Sequence, residues 1–229
     1  MANRAIELVE GEYYHVYNRG NDKRVIFHDD NDKDYFKKLL TVMNNSLRVK
    51  VSRFKSGDNQ SVNFTNDKSD TENHILVSIG SYCLMPNHFH ILIKQEYENG
   101  ISLFMQKVTT AYVMYYNKKY KKTGGLCEGA FKSKYAGVDT YLKYLFAYIH
   151  LNPLKLLDPD WKNNKHDKQK VESYISFLLN YKHSSFPYYF NGEEDETINK
   201  EAFPDYFPTR EAFISEIFSW ISDYKDLDK

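Results

Sequence analysis

Apolar positions along the chain recur with two alternating periods. In EYYHVYNRGND, residues 12–22, apolar and polar side chains alternate up to a glycine turn, the period of two that predicts a strand. In NDKDYFKKLLTVMNN, 31–45, Tyr35, Phe36, Leu39, Leu40 and Met43 fall at helical spacing behind an expected Asp30/Asn31 cap. The polar stretch 55–73 reads as a mobile insertion. Two apolar runs, HILVSIGSYCLM and HFHILIK, flank Pro86 and Asn87 and predict a central hairpin. Helical spacing returns between Gly100 and Tyr120, with Ile101, Phe104, Met105, Val108 and Tyr112 on one stripe. GAFKSKYAGV is expected to form an edge strand, and Asp139 to cap a helix that ends near Leu151, before Pro153. A final helix after Thr209 turns Phe213, Ile214, Ile217, Phe218 and Ile221 inward.

Strand, helix, strand, strand, helix, strand is the order of a split βαβ unit. The predicted fold is therefore α+β: a ferredoxin-like antiparallel sheet with helices on one face and a C-terminal helical extension. The expected division is a catalytic domain over 1–157, interrupted by the 55–73 insertion, with a mixed, mostly helical extension over 158–229 packed on it.

Composition narrows the setting. No apolar run approaches the roughly 20 residues of a membrane span, and the N-terminal MANRAIELVEGEYYH lacks the basic head and apolar stretch of a signal peptide, so a cytoplasmic location is expected. Two cysteines are too few for a disulfide framework or a four-cysteine zinc site. The 31 basic and 31 acidic residues cancel, so nucleic acid would have to be attracted by a local patch. Lys118, Lys119, Lys121 and Lys122, followed by Lys132 and Lys134, form one such stretch and are the DNA-binding candidates; Arg48, Lys50, Arg53 and Lys55 form another. Either could equally be a solvated face. The 20 tyrosines and 15 phenylalanines include side chains that could stack on unpaired bases, although most must serve the core.

The strongest chemical signal is His88-Phe89-His90, directly after a Met-Pro-Asn turn. Residues i and i+2 of a strand share a face, about 7 Å apart at Cα, so two neutral imidazoles there can converge on one divalent ion. A pair of partly buried histidines bonded to backbone would show the same pattern. In DTYLKYLFAYIHLNP, Leu142, Leu145, Phe146 and Ile149 make the core stripe, whereas Tyr141, Tyr144, Tyr148 and Asn152 share another sector about 80° wide. Tyr148 and Asn152 are helical neighbours, so a phenol and an amide oxygen could face one site, or the tyrosines could be rim residues. His150 points to the opposite side and is read as structural, and Cys83 as a buried strand residue.

YHVYNRGNDKRVIFHDDND, CLMPNHFHILIKQ and YLKYLFAYIHLNPLK, in that order, resemble the first strand, histidine strand and tyrosine helix of the HUH single-tyrosine transposases, specifically the REP-associated tyrosine transposase (IS200-like) group. The resemblance implies an enzyme that cleaves and rejoins single-stranded DNA, beside a recognised hairpin, through a 5′-phosphotyrosine intermediate with Mg²⁺ or Mn²⁺. It implies Tyr148 as nucleophile and His88, His90 and Asn152 as metal ligands. Glu128 and Ala130 depart from the group, where glutamine and a basic residue are usual, which bears on DNA affinity. Some relatives donate the tyrosine helix across a dimer interface, so a homodimer stays open. Two other classes fit the same residues: a non-catalytic nucleic-acid-binding protein derived from such an enzyme, and a metal-dependent hydrolase that uses water in place of tyrosine.

Overall fold

The computed structural model describes residues 6–47, 73–163 and 167–222. Residues 55–72 of the expected insertion, and the basic positions Arg48, Lys50, Arg53 and Lys55, lie outside the described residues. The chain runs through β1 (Tyr13–Arg19), α1 (Asp30–Val42), β2 (Val77–Met85), β3 (His88–Gln95), α2 (Gly100–Tyr120) and β4 (Lys132–Tyr135). The sheet order is β2-β3-β1-β4 and every pairing is antiparallel. This is the split βαβ arrangement of the expected α+β fold, with β3 and β1 in the centre and β4 at an edge.

Period-two alternation sorts each central strand. Tyr14 and Val16 of β1, with Phe89, Ile91 and Ile93 of β3, join one apolar core with α1 and α2. Gly100 lets α2 start tight against β2, since a Cβ there would lie 2.3 Å from the Leu76 carbonyl oxygen. The α1 cap lies one residue earlier than expected: Asp29 accepts from the Asp32 amide through its side chain, and Asp30 is the first helical residue.

Helices cover both faces of the sheet, not one. All nine residues of β2 are buried, which an antiparallel strand with a solvated face would not show. The second face carries α3 (Asp139–Leu151), and around α3 the chain continues as α4 (Leu154–Leu157), α5 (Lys168–Asn180), α6 (Phe186–Asn191) and α7 (Arg210–Ser222). Leu142, Leu145, Phe146 and Ile149 of α3 share a second core with Cys83, Met85 and Leu92 of the sheet and with Tyr174, Leu178, Phe213 and Ile217 of the C-terminal helices. The C-terminal segment also covers the β2 edge, where Ser185 N donates to Tyr82 O at 2.9 Å and Leu84 N to His183 O at 2.9 Å. This second layer has to exist because three helices on a single face would leave the alternate side chains of β2, Cys83 and Met85 among them, in water.

Of the two terminal signals around α3, the N-terminal one acted differently from expectation. Asp139 is the first residue of the helix and not its cap; Val138 holds the cap position with no side-chain bond. At the other end α3 stops at Leu151 as expected, but Asn152 (φ −55°, ψ −38°) and Pro153 (φ −60°, ψ −22°) keep right-handed geometry through the turn that leads into α4. The pre-proline restriction is a preference, overcome here where Asn152 is buried and its Nδ2 donates to the Tyr148 carbonyl at 3.2 Å.

Candidate active site

On the sheet face toward α3, the register brings together side chains distant in sequence. Arg19 lies opposite His88, Tyr17 opposite His90, and His15 opposite Leu92. Across β1, Lys132 lies opposite Tyr17 and Lys134 opposite His15, so both lysines share the histidine face. Helix α3 crosses above and sets Tyr148 on the rings below: its ring centroid is 5.5 Å from that of His90 and 5.8 Å from that of His15, edge-on to both. His88 and His90 are 5.0 Å apart between ring centroids, with their planes at 89°.

Hydrogen bonds orient the two imidazoles. His88 Nδ1 meets Asn87 Oδ1 at 2.6 Å; an amide oxygen only accepts, so Nδ1 carries the proton and Nε2 keeps the lone pair. His90 Nδ1 meets His15 Nε2 at 2.8 Å, and donation in that direction leaves the lone pair of His90 on Nε2. Asn152 spends its Nδ2 on the Tyr148 carbonyl, so it offers its oxygen, within hydrogen-bonding reach of His88 and 3.4 Å from Lys155 Nζ. Burial, then the Lys155 and Arg19 charges, lowers the His88 pKa to about 4. Burial, then His15, His88, Lys155 and Lys162, holds His90 well below its ordinary value. Both rings are neutral at pH 7, the state in which an imidazole can ligate.

Among the described residues no group of three or more His, Cys, Asp and Glu is placed to hold a metal ion. The donors here are two neutral imidazoles and an amide oxygen, a mixed set of three that leaves open positions for water or substrate on a bound divalent ion.

Other singled-out residues separate by location. His150 is fully buried away from this face, with Nε2 at 2.6 Å from Ser185 Oγ, a structural role. Cys83 is buried opposite His90 in the β2–β3 ladder, and burial pushes its thiol pKa up. The basic stretch is not one patch. Lys118, Lys119, Lys121 and Lys122 end α2, which packs on the opposite face of the sheet. Lys119 is committed there, with Nζ at 2.6 Å from the buried Asp32 and 2.9 Å from Asp29, which corrects its reading as a DNA contact. Glu128 pairs with Lys132 at 3.2 Å.

Sequence reading missed His15, Tyr17, Arg19, Lys155 and Lys162. The first three sit in the polar phase of β1, and that alternation was the one available signal. Lys155 Nζ is 5.8 Å and Lys162 Nζ 5.0 Å from the Tyr148 ring centroid.

A split βαβ sheet whose polar face lies under a tyrosine-bearing helix is thus the class of protein that fold and site define. The family model "Transposase IS200 like" matches residues 62–152, the segment that holds His88, His90, Tyr148 and Asn152. The resemblance to IS200-like transposases stands over that segment, and it supports a transposase-type enzyme acting on DNA. No curated protein matches the chain. Among solved structures, the chain is similar to one described as "Structure of the REP associates tyrosine transposase bound to a REP hairpin", at 8% identity and a TM-score of 0.48, covering 89% of this chain and 94% of that one. Among the described residues no helix is long and apolar enough to cross a membrane.

Proposed function

We propose that the protein cleaves and rejoins single-stranded DNA, with Tyr148 as nucleophile. The observation that carries this reading is the seating of the Tyr148 ring edge-on to His90, one helical turn before an Asn152 whose oxygen is turned toward His88. The Tyr148 phenol oxygen attacks a backbone phosphorus in line; the bond to the 3′ oxygen breaks, that oxygen takes up a proton and leaves as a 3′-hydroxyl, and the 5′ fragment stays as a phosphotyrosine ester. Attack by a second 3′-hydroxyl reverses the step and joins strands, because the energy of the broken bond is held in the ester. His88, His90 and Asn152 would hold Mg²⁺ or Mn²⁺, which when bound supplies Lewis-acid stabilisation of charge on a phosphoryl oxygen. His15 fixes the His90 ring, and α3 keeps Tyr148 and Asn152 in register. A hairpin beside the cleaved strand is the DNA that the sequence resemblance implies.

The test is covalent trapping of labelled single-stranded DNA from the flanks of the protein's own gene, in Mg²⁺, Mn²⁺ or EDTA, resolved on a denaturing gel. The expected result is a metal-dependent adduct with wild type and none with Tyr148→Phe. Metal-dependent cutting without an adduct would replace this reading with a hydrolase that uses water, and DNA binding without cutting would leave a binding protein.

A further inference from the structure

Three cationic side chains from separate parts of the chain meet at the histidine–tyrosine face, and metal ligation accounts for none of them. Arg19 projects from β1 opposite His88, and its Nε is buried with no hydrogen-bond partner among the described residues. Lys155 comes from α4, which the right-handed turn through Asn152 and Pro153 delivers against Tyr148. Lys162 sits in a short turn, Trp161–Asn163, anchored by the buried Trp161. Both lysines are half-buried, with Nζ atoms 5.8 and 5.0 Å from the Tyr148 ring centroid. The charges that act on His88 and His90 from these elements are all positive. The buried Arg19 Nε, a charged donor without an acceptor, is the group that calls for an anion at this face.

We propose that Arg19, Lys155 and Lys162 form a seat for a backbone phosphate of single-stranded DNA beside Tyr148, and that this seat binds without a metal ion. The assignment of the anion rests on the DNA-cleaving reading above. A planar guanidinium on the sheet and two ammonium groups on the helical side would grip the phosphate from opposite sides and bring phosphorus to the phenol oxygen.

The experiment is fluorescence anisotropy of a labelled single-stranded oligonucleotide with the full chain, in EDTA, across a salt series. Each phosphate contact removed lowers the slope of log Kd against log salt by about 0.7 for a single strand. Because the three cations share one phosphate, Lys155→Gln/Lys162→Gln is expected to lose up to about 0.7 from the slope and Arg19→Gln a smaller part of that same amount, while Lys155→Arg/Lys162→Arg keeps the wild-type slope. Lys168→Gln, exposed on α5, is the control and should change nothing. An unchanged slope in a glutamine double variant that melts like wild type overturns the seat, as does an equal loss in the Lys168 control. The two readings fail separately. A changed slope with no covalent adduct from wild type keeps the seat and removes the nucleophile; an adduct with an unchanged slope removes the seat alone.

Discussion

Replacing His15 with phenylalanine removes the acceptor that orients His90 while keeping a ring of similar size against Tyr17 and Tyr148. The contact at stake is the 2.8 Å bond between His15 Nε2 and His90 Nδ1, and both rings are buried. Without it, the Nδ1 proton of His90 has no partner. Either it stays unsatisfied, at about 1–3 kcal/mol, or it moves to Nε2 and occupies the lone pair that a metal needs. At about 1.4 kcal/mol per decade, metal affinity should fall roughly 10- to 100-fold, the range found for partners that orient ligating histidines. The assay is Mn²⁺ titration followed by electron paramagnetic resonance of the free ion, with thermal unfolding as the folding control. His15→Gln keeps an acceptor oxygen and should lose less than His15→Phe. Equal, wild-type Mn²⁺ affinity in a folded His15→Phe protein would refute the orientation argument, and with it the placement of the metal on His90.

Two further outcomes follow from the same packing. Asp32 is fully buried and takes hydrogen bonds from Lys119 Nζ, Tyr120 Oη, Tyr115 Oη and the His28 amide, at 2.6–3.0 Å. Asp32→Ala strands these donors and should cost about 3–5 kcal/mol in urea unfolding; a loss under 1 kcal/mol would mean that the network is not worth its burial. Acid should weaken the fold in two stages. His88 and His150, held near 4 and 3 against an ordinary 6.5, stay neutral in the folded chain, while the unfolded chain takes up protons below pH 6.5. Stability therefore falls as pH drops from 6.5 toward 4, by up to about 1.4 kcal/mol per pH unit for each ring. Burial alone would raise the Asp32 pKa, but the Lys119, Tyr120, His28 and Tyr115 hydrogen bonds outweigh it and hold it below 3.8, so its stabilisation is present above that value and is lost as pH falls further. A urea midpoint equal at pH 7 and pH 5 would contradict the two neutral rings.

Local pattern alone carried the order and type of the elements from β1 to α3, because period and turn chemistry are properties of neighbouring residues. Gly100 to Tyr120 was readable to the residue, since helical spacing begins and ends there. The histidine pair was legible for the same reason: i and i+2 on one strand must share a face. Tyr148 with Asn152 required only the helical repeat. What the sequence could not supply was everything set by register and by packing at a distance. His15 and Arg19 join the site because β1 pairs with β3 in one particular alignment, and a shift of one residue would turn both to the other face. Lys119 looked like one more charge in a run of lysines, until the packing of α2 on α1 placed it on Asp32. The Pro153 signal ends α3 at Leu151 as predicted, but the buried Asn152 and Pro153 keep right-handed backbone geometry, and that turn brings Lys155 to the tyrosine. The second helical layer followed from the sheet's need to bury the other side of β2, a demand on the whole molecule that no single segment states.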